Sequence, residues 1–340
     1  MSLRFGINGV GRIGRALLRL AHGREELVPA AVNDLAPPMV LARLLARDSV
    51  HGPFPGTVAA VPRGIALDGR QVPAFAAPEP TGIPWESAGV EVVIEATGRF
   101  LGRSRAAAHL RVGNVRTVVL SANPDPADPV DVDLCWGLNE DAFDPRRHAV
   151  VSLASCTTSC LALVAKVLHD GFTIRHALMN TVHSYTENQR LLDSAHADPR
   201  RSRAAAQNII PVATTTPFAL GRLMPELAGR FAGVSVRVPT PAVAMLDLVA
   251  RVDRPASAAA VRDAFRAAAA GERGRFLGVT EEELVSSDFV GDPRSAVVDL
   301  PLVQVVGGDL VRVVAWYDNE WGYANRLLDL LLRLARAGRG

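Results

Sequence analysis

Leu3-Arg4-Phe5-Gly6-Ile7-Asn8-Gly9-Val10-Gly11-Arg12-Ile13-Gly14 is the stretch that decides the architecture of the first half of the chain. The run Leu3–Asn8 predicts a strand and residues 12–22 a helix, with three glycines in G-x-G-x-x-G spacing between them. The first glycine permits a tight turn, and the second lets a pyrophosphate reach the backbone. The third lets helix and strand pack closely, while the free N–H groups and dipole of the helix N-terminus face the phosphates. Gly9, Gly11 and Gly14, with Arg12 and Ile13 between them, are therefore the expected cofactor contacts. Asp34 stands 20 residues beyond Gly14, at the end of a second predicted strand, Leu27–Asn33. An acid there accepts from the adenosine ribose hydroxyls, and it favours NAD over NADP because it repels a 2′-phosphate.

Outward from this motif, short apolar runs alternate with helical stretches. A helix is expected at Pro38–Arg47, strands at Val90–Glu95 and Thr117–Ser121, and a helix at Ser104–Val112 between them. The proline-rich segment Pro73–Pro84 reads as loop. Strand–helix alternation at this spacing predicts an α/β domain, a doubly wound Rossmann-type parallel sheet, over residues 1–150. After Val150 the pattern changes. A helix at Thr157–Leu168 leads through a short turn at Asp170–Phe172 to strand-like runs. These are His176–His183, Val234–Val238, Met245–Val252, Leu302–Val306 and Leu310–Trp316, the last two joined by a Gly307-Gly308 hairpin. This predicts an α+β domain over 151–318 with a mostly antiparallel sheet and helices on one face. A last helix, within about 319–340 and strongest from Tyr323 to Ala337, carries leucines at 327, 328, 330, 331, 332 and 334 that require burial.

Composition narrows the function classes. At 340 residues, two domains are expected. With 37 basic and 35 acidic residues the net charge is +2, which speaks against a broad nucleic-acid or membrane footprint. Lys166 is the only lysine, so a lysine-based P-loop is excluded. Three cysteines form neither a disulfide framework nor a four-cysteine zinc module, and no metal is expected. The opening residues show no charged leader with an apolar core, and no 18-residue uncharged apolar run occurs. A cytoplasmic protein is expected.

Two further motifs carry chemistry. Ser155-Cys156-Thr157-Thr158-Ser159-Cys160 lies where a loop gives way to a helix. A cysteine at a helix N-terminus feels the positive dipole end, which lowers its pKa and favours thiolate. Thr181-Val182-His183-Ser184-Tyr185-Thr186 places His183 at a strand end, where an imidazolium would activate a thiolate and the imidazole would then serve as general base. Arg200, Arg201, Arg203 and Arg237, with hydroxyls at Thr186, Thr214, Thr215 and Thr216, form a possible anion cluster through forked guanidinium contacts.

These residues carry a resemblance. Over essentially its whole length the chain resembles the phosphorylating glyceraldehyde-3-phosphate dehydrogenase family (type I). The matching stretches include Ile7–Arg15, Asp48–Thr57, Ala96–Phe100, Ala154–Thr158, Val182–Thr186, Arg200–Ala206, Arg237–Pro241 and Trp316–Tyr323. The resemblance implies that Cys156 adds to the aldehyde and that His183 takes the hydroxyl proton as hydride leaves for the nicotinamide. Inorganic phosphate then attacks the remaining thioester to give 1,3-bisphosphoglycerate. It implies Arg237 and Thr186 for the substrate's phosphate, and Ser155, Thr157, Arg201 and Thr214 for the attacking phosphate. Asn319 and Tyr323 would stand beside the nicotinamide, with Thr97, Gly98 and Ser121 as further cofactor contacts. A homotetramer is implied, as is a C-terminal helix docked on the cofactor domain. Two other readings are carried: a non-phosphorylating erythrose-4-phosphate dehydrogenase, and a noncatalytic binding or regulatory relative, against which the retained Cys156 and His183 speak.

Departures from the family pattern cluster at ligand positions. Thr215 stands where a glycine is usual, adding a side chain beside the attacking phosphate. Leu153 and Ser159 replace asparagines. Asp193-Ser194-Ala195 replaces aspartate-leucine-proline near a neighbouring subunit's adenosine ribose, which resembles members that accept NADP and leaves dual use open. A specialised isozyme, altered in phosphate handling, cofactor choice or resistance to a cysteine-directed inhibitor, follows as an expectation.

Overall fold

The computed structural model describes residues 2–337, so the ends of the two segments expected at 1–150 and about 319–340 lie outside the described residues. The described chain divides into two compact units. One takes in the residues up to Leu134, Asp141–Ala154 and those from Ala324 onward; the other is Cys135–Glu140 with Ser155–Tyr323.

The first unit is built on one sheet. Its elements are β1 (Leu3–Asn8), α1 (Arg12–Ala21), β2 (Leu27–Asn33), α2 (Pro38–Ala46), β3 (Val58–Val61), β4 (Gly64–Leu67), β5 (Arg70–Phe75), β6 (Val92–Glu95), β7 (Thr117–Leu120), β8 (Val132–Asp133) and β9 (Val150–Ser152). The strand order is β8-β9-β7-β6-β1-β2-β5-β4-β3. From β8 to β5 every pairing is parallel, and the order reverses about β1, as in a doubly wound sheet. The central strands β6 and β7 are buried at every residue, which is why they read as unbroken apolar runs rather than as alternation. Trp85, Val93, Val118 and Val150 belong to the core on this sheet.

Two expectations need correction here. Pro73–Phe75 is strand rather than loop, because β3, β4 and β5 form an antiparallel extension of the sheet. Asp68-Gly69 supplies its second turn, with φ of 46° and 79°, the backbone of a type I′ hairpin. The helix expected at Ser104–Val112 is a single α-turn, Arg103–Ala106, running into a 3-10 stretch, Ala107–Arg111.

The second unit holds α3 (Cys156–Phe172), β10 (Ile174–Ser184), β11 (Ile210–Val212), α4 (Thr216–Leu223), β12 (Phe231–Val238), β13 (Ala244–Val252), α5 (Ala258–Ala270), β14 (Leu277–Thr280), β15 (Ala296–Asp299), β16 (Gln304–Val306) and β17 (Leu310–Tyr317). Its sheet runs β11-β12-β10-β13-β17-β15-β14, with β16 paired to β17. All pairings are antiparallel except β10 with β12 and β14 with β15. The turn expected at Asp170–Phe172 is instead the last turn of α3. The helix stops at Thr173, which takes a left-handed φ of 60° and donates its N–H to His169. Gly307 and Gly308, with φ of 63° and 78°, make the expected hairpin between β16 and β17. The last helix, α6 (Trp321–Ala337), begins in the second unit and continues in the first. Leu327, Leu328, Leu330 and Leu331 on it are almost wholly buried. No helix among the described residues is long and apolar enough to cross a membrane.

Candidate active site

In the first unit the three glycines have three different reasons to be glycine. Gly9 takes a φ of 97°, and a Cβ there would lie 2.8 Å from the backbone of Ala96 and Thr97. A Cβ on Gly14 would lie 2.4 Å from the Gly9 carbonyl oxygen, so α1 seats on β1 only without it. A Cβ on Gly11 would meet nothing within 4 Å; that space is open to a ligand. Gly11 is also the N-cap of α1, with no side-chain cap and no acid in the first turn, so the dipole end is left for an anion. The residues therefore fit a dinucleotide pyrophosphate.

Asp34 is tied to this loop directly. One carboxylate oxygen accepts from Val10 N–H at 2.8 Å and the other from Ala36 N–H at 2.9 Å. The guanidinium of Arg12 is paired with Asp48. Burial works against the Asp48 charge, but the N–H groups of His51 and Val50, with Arg12, outweigh it and hold the acid at about 2. Ile13 is partly exposed in the first turn of α1. Thr97 is held by Glu95, to which both its N–H and its hydroxyl donate, and Gly98 follows with a φ of 68°. Ser121, partly exposed at the end of β7, donates its N–H to the Glu95 carbonyl.

In the second unit the covalent machinery is assembled by one helix start and one sheet row. Ala154, at a left-handed φ of 55°, precedes Ser155, the N-cap of α3, whose hydroxyl accepts from Thr158 N–H at 3.1 Å. Cys156 is thus the first helical residue and half-buried. His183 lies on β10 in register with Arg237 on β12 and with Ala244 on β13, which in turn pairs with Tyr317 on β17. The row Arg237, His183, Ala244, Tyr317 places their side chains on one sheet face.

Sγ of Cys156 and Nε2 of His183 are 3.8 Å apart. Nδ1 of His183 donates to the Ser184 carbonyl at 2.7 Å, which leaves Nε2 to accept from the thiol. Burial, reinforced by the Arg237 charge, pulls His183 down to about 3 against the opposing effects of Ser184 and Glu320. The Cys156 thiol is pushed up by burial, which outweighs the pull of Arg237 and Thr157. Both shifts run against the thiolate–imidazolium pair expected from the sequence and toward a thiol beside a neutral imidazole, with burial as the largest cause at each group. The imidazole is already in the form and tautomer of a general base.

The hydroxyls and arginines expected at the phosphates divide sharply. Ser155 is spent on its helix cap, and its hydroxyl also meets that of Thr158 at 2.8 Å. Thr157 shares its hydroxyl with Tyr317 at 2.8 Å, so its backbone is what remains for an anion. Thr186 donates to Gln189 Oε1 at 3.0 Å, Thr214 donates to Thr216 at 2.9 Å, and Arg201 lies 3.3 Å from Asp198. Arg200 and Arg203 are exposed, the latter paired with Asp193 at 2.9 Å. Arg237 differs: it has no carboxylate partner among the described residues, its Nε is buried without a hydrogen bond, and one Nη donates weakly to the Ser184 carbonyl at 3.3 Å. A largely desolvated, uncompensated guanidinium is costly, and an anion would offset that cost.

Asn319 is buried and accepts from the Ser184 hydroxyl at 3.0 Å, and Tyr323 lines a small cavity with Cys156, Ser159, Ser295, Tyr317 and Asp318. Sequence reasoning missed Tyr317. Its hydroxyl bridges Thr157 of the cysteine helix at 2.8 Å and Thr181 of the histidine strand at 2.7 Å, and its ring meets His183 edge-on at 6.1 Å between centroids. The one signal for it is period-2 spacing: Thr181 and His183 share a face of β10.

Comparison with known proteins agrees along the chain. Residues 3–103 match the family model for the glyceraldehyde 3-phosphate dehydrogenase NAD binding domain, and residues 155–319 match that for its C-terminal domain. The chain is similar to glyceraldehyde-3-phosphate dehydrogenase 1 of Bacillus subtilis (strain 168), 44% identical over 338 residues, covering 99% of this chain and 100% of the relative. The same-named protein of Streptomyces avermitilis is 45% identical over 333 residues, covering 98% of each. Glyceraldehyde-3-phosphate dehydrogenase of Kitasatospora aureofaciens is 46% identical over 333 residues, 98% of this chain and 99% of the relative.

Proposed function

Since the chain belongs to the glyceraldehyde 3-phosphate dehydrogenase family, NAD(P)-dependent oxidoreductases, we propose that it oxidises glyceraldehyde 3-phosphate, with inorganic phosphate as second substrate, through a covalent intermediate on Cys156. The observation that carries this reading is the uncompensated Arg237 in register with His183, whose Nε2 lies 3.8 Å from the Cys156 sulfur. A half-buried cation, a base and a nucleophile on one site call for an anionic electrophile.

In this reading Arg237 and Thr186 hold the phosphate of the aldehyde, and the thiol adds to the carbonyl carbon as His183 Nε2 takes its proton. Backbone N–H groups at the start of α3 favour the developing oxyanion. His183 Nε2 hands that proton to the oxyanion, completing the thiohemiacetal, and is then free to take the hydroxyl proton back when the carbon is oxidised. When bound, the dinucleotide supplies the hydride acceptor; Gly9, Gly11, Arg12, Ile13, Gly14, Asp34, Thr97, Gly98 and Ser121 would hold it, with Asn319 and Tyr323 at its nicotinamide end. Inorganic phosphate, held by Arg201, Thr214 and the backbone at Ser155 and Thr157, attacks the thioester. The exposed Thr215, one residue beyond Thr214, supports an isozyme specialised in phosphate handling. Leu178, Leu191, Leu192 and Ile209 are each at least 66% exposed, which supports association with further copies into the expected homotetramer.

Steady-state assays with glyceraldehyde 3-phosphate and erythrose 4-phosphate, with and without phosphate, using NAD and NADP, test the proposal. Phosphate-dependent turnover of the three-carbon substrate is expected. Turnover of the four-carbon substrate that persists without phosphate would establish the hydrolytic reaction instead.

A further inference from the structure

A buried polar chain that the proposed chemistry does not use runs beneath the Gly9 and Thr97 loops. Its centre is Glu95, 2% exposed at the end of β6. Working from one end, Ala77 fixes Asn33: its N–H donates to Asn33 Oδ1, and its carbonyl accepts from Asn33 Nδ2, both at 2.9 Å. Asn33 Nδ2 also donates to Asn8 Oδ1 at 2.8 Å, so Asn8 must present its Nδ2 to Glu95 Oε2, at 2.6 Å. From the other end, the indole N–H of Trp85 donates to His109 Nδ1 at 3.0 Å. His109 therefore carries its proton on Nε2 and donates to the same Glu95 oxygen at 3.1 Å. The other oxygen, Oε1, accepts both the N–H of Thr97, at 2.8 Å, and its hydroxyl, at 2.5 Å.

Four donors thus converge on one side chain, and the direction of two of them is set by groups that cannot reverse, an indole and a backbone amide. Only a carboxylate satisfies all four. What it holds is the turn that abuts the glycine loop. Asn8 precedes Gly9, Ala96 N–H donates to the Asn8 carbonyl at 2.8 Å, and the missing Cβ of Gly9 leaves room for Ala96 and Thr97.

We propose that Glu95 is a positioning residue for the dinucleotide: its carboxylate fixes the Thr97–Gly98 turn against Gly9 before the cofactor arrives. This rests on the reading of these loops as the dinucleotide site. In Glu95→Gln one end of the side chain becomes a donor. Because the Asn8 and His109 donors are locked, the amide N–H₂ turns toward Thr97, where it faces a backbone N–H. The defect falls on the cofactor loop, while the distant core is spared.

The test is titration of the full chain with NAD for wild type, Glu95→Gln and Trp85→Phe, with the rate of Cys156 alkylation measured without NAD. Leaving the half-buried Thr97 N–H facing another donor is expected to weaken NAD binding to Glu95→Gln about tenfold or more, with alkylation within about twofold of wild type. Trp85→Phe, which leaves the carboxylate's four donors in place, should lower the melting temperature and leave NAD affinity within about twofold. Wild-type binding with an unaffected Glu95→Gln overturns this proposal alone; a wild-type chain that binds no NAD overturns the dinucleotide reading as well. If Glu95→Gln does not fold, hydrogen exchange at Thr97 in the wild type decides. Slow exchange without NAD is expected, and fast exchange that slows only when NAD is added would contradict a preformed turn.

Discussion

Tyr317→Phe removes one oxygen atom and tests whether the helix of the nucleophile and the strand of the base are held to each other. The hydroxyl meets Thr157 Oγ1 at 2.8 Å and Thr181 Oγ1 at 2.7 Å, and all three residues are buried. Each lost hydrogen bond costs about 0.5–1.5 kcal/mol, so the pair is worth about 1–3 kcal/mol of stability. If the second unit unfolds as one body of its size, that is a fall in melting temperature of about 3–8 °C. The phenyl ring still fills its place against His183, so the fold is retained. Thr157 follows Cys156 and Thr181 lies two residues before His183, so releasing both loosens the 3.8 Å approach of Sγ to Nε2. The expected consequence is a fall in kcat of about tenfold, with little change in KM for the aldehyde, since misplacement of reacting groups is felt in the chemical step. Calorimetry and steady-state kinetics on the same preparation read both effects. A variant within about 1 °C of wild type and of equal kcat would refute the bridging role.

Three further outcomes follow. Arg237→Met removes a guanidinium with no carboxylate partner, so stability is expected to hold or rise, while KM for the phosphorylated aldehyde climbs about a hundredfold and that for unphosphorylated glyceraldehyde stays put; equal changes for both aldehydes would contradict the phosphate role. His183 is held near 3 when folded, below the roughly 6.5 of an unfolded chain, so the unfolded state takes the proton first and stability, complete above about pH 7, is lost as the pH falls from about 6.5 toward 3. Denaturant titrations at pH 7.5 and 5 should show wild type losing about 2 kcal/mol more than His183→Gln, and identical acid dependence would count against a buried neutral imidazole. Thr215→Gly restores the residue usual in the family, and KM for inorganic phosphate is expected to fall several-fold; no change would detach this position from phosphate handling.

Much of the fold is legible because its signals are local. The Gly9, Gly11, Gly14 spacing, the strand before it and Asp34 after it are all short-range, and unbroken apolar runs mark strands buried on both faces. The β3–β5 extension is masked in the sequence by the prolines at 73 and 84, which signal loop, although Asp68-Gly69 is a strong hairpin signal. At the candidate site the sequence pattern singles out Cys156 and His183 but not the state in which they rest. That Cys156 and His183 are separated by a helix and a strand is visible in the chain; that burial pushes the thiol up is a property of the packed unit. Tyr317 and Glu95 escaped for the same reason. The partners of Tyr317 lie 136 and 160 residues away, and those that lock Glu95 beyond its neighbour Thr97 lie 14 and 87 residues away, outside any periodicity.

In the proposed cycle turnover passes through an acyl group on Cys156 that inorganic phosphate removes. Rapid mixing of the chain with glyceraldehyde 3-phosphate and NAD in phosphate-free buffer, followed by mass analysis of the peptide carrying Cys156, tests it most directly. A single equivalent of NADH per site and an acylated Cys156, discharged when phosphate is added, are expected. Continued NADH production without phosphate, or a full burst in Cys156→Ser, would contradict it.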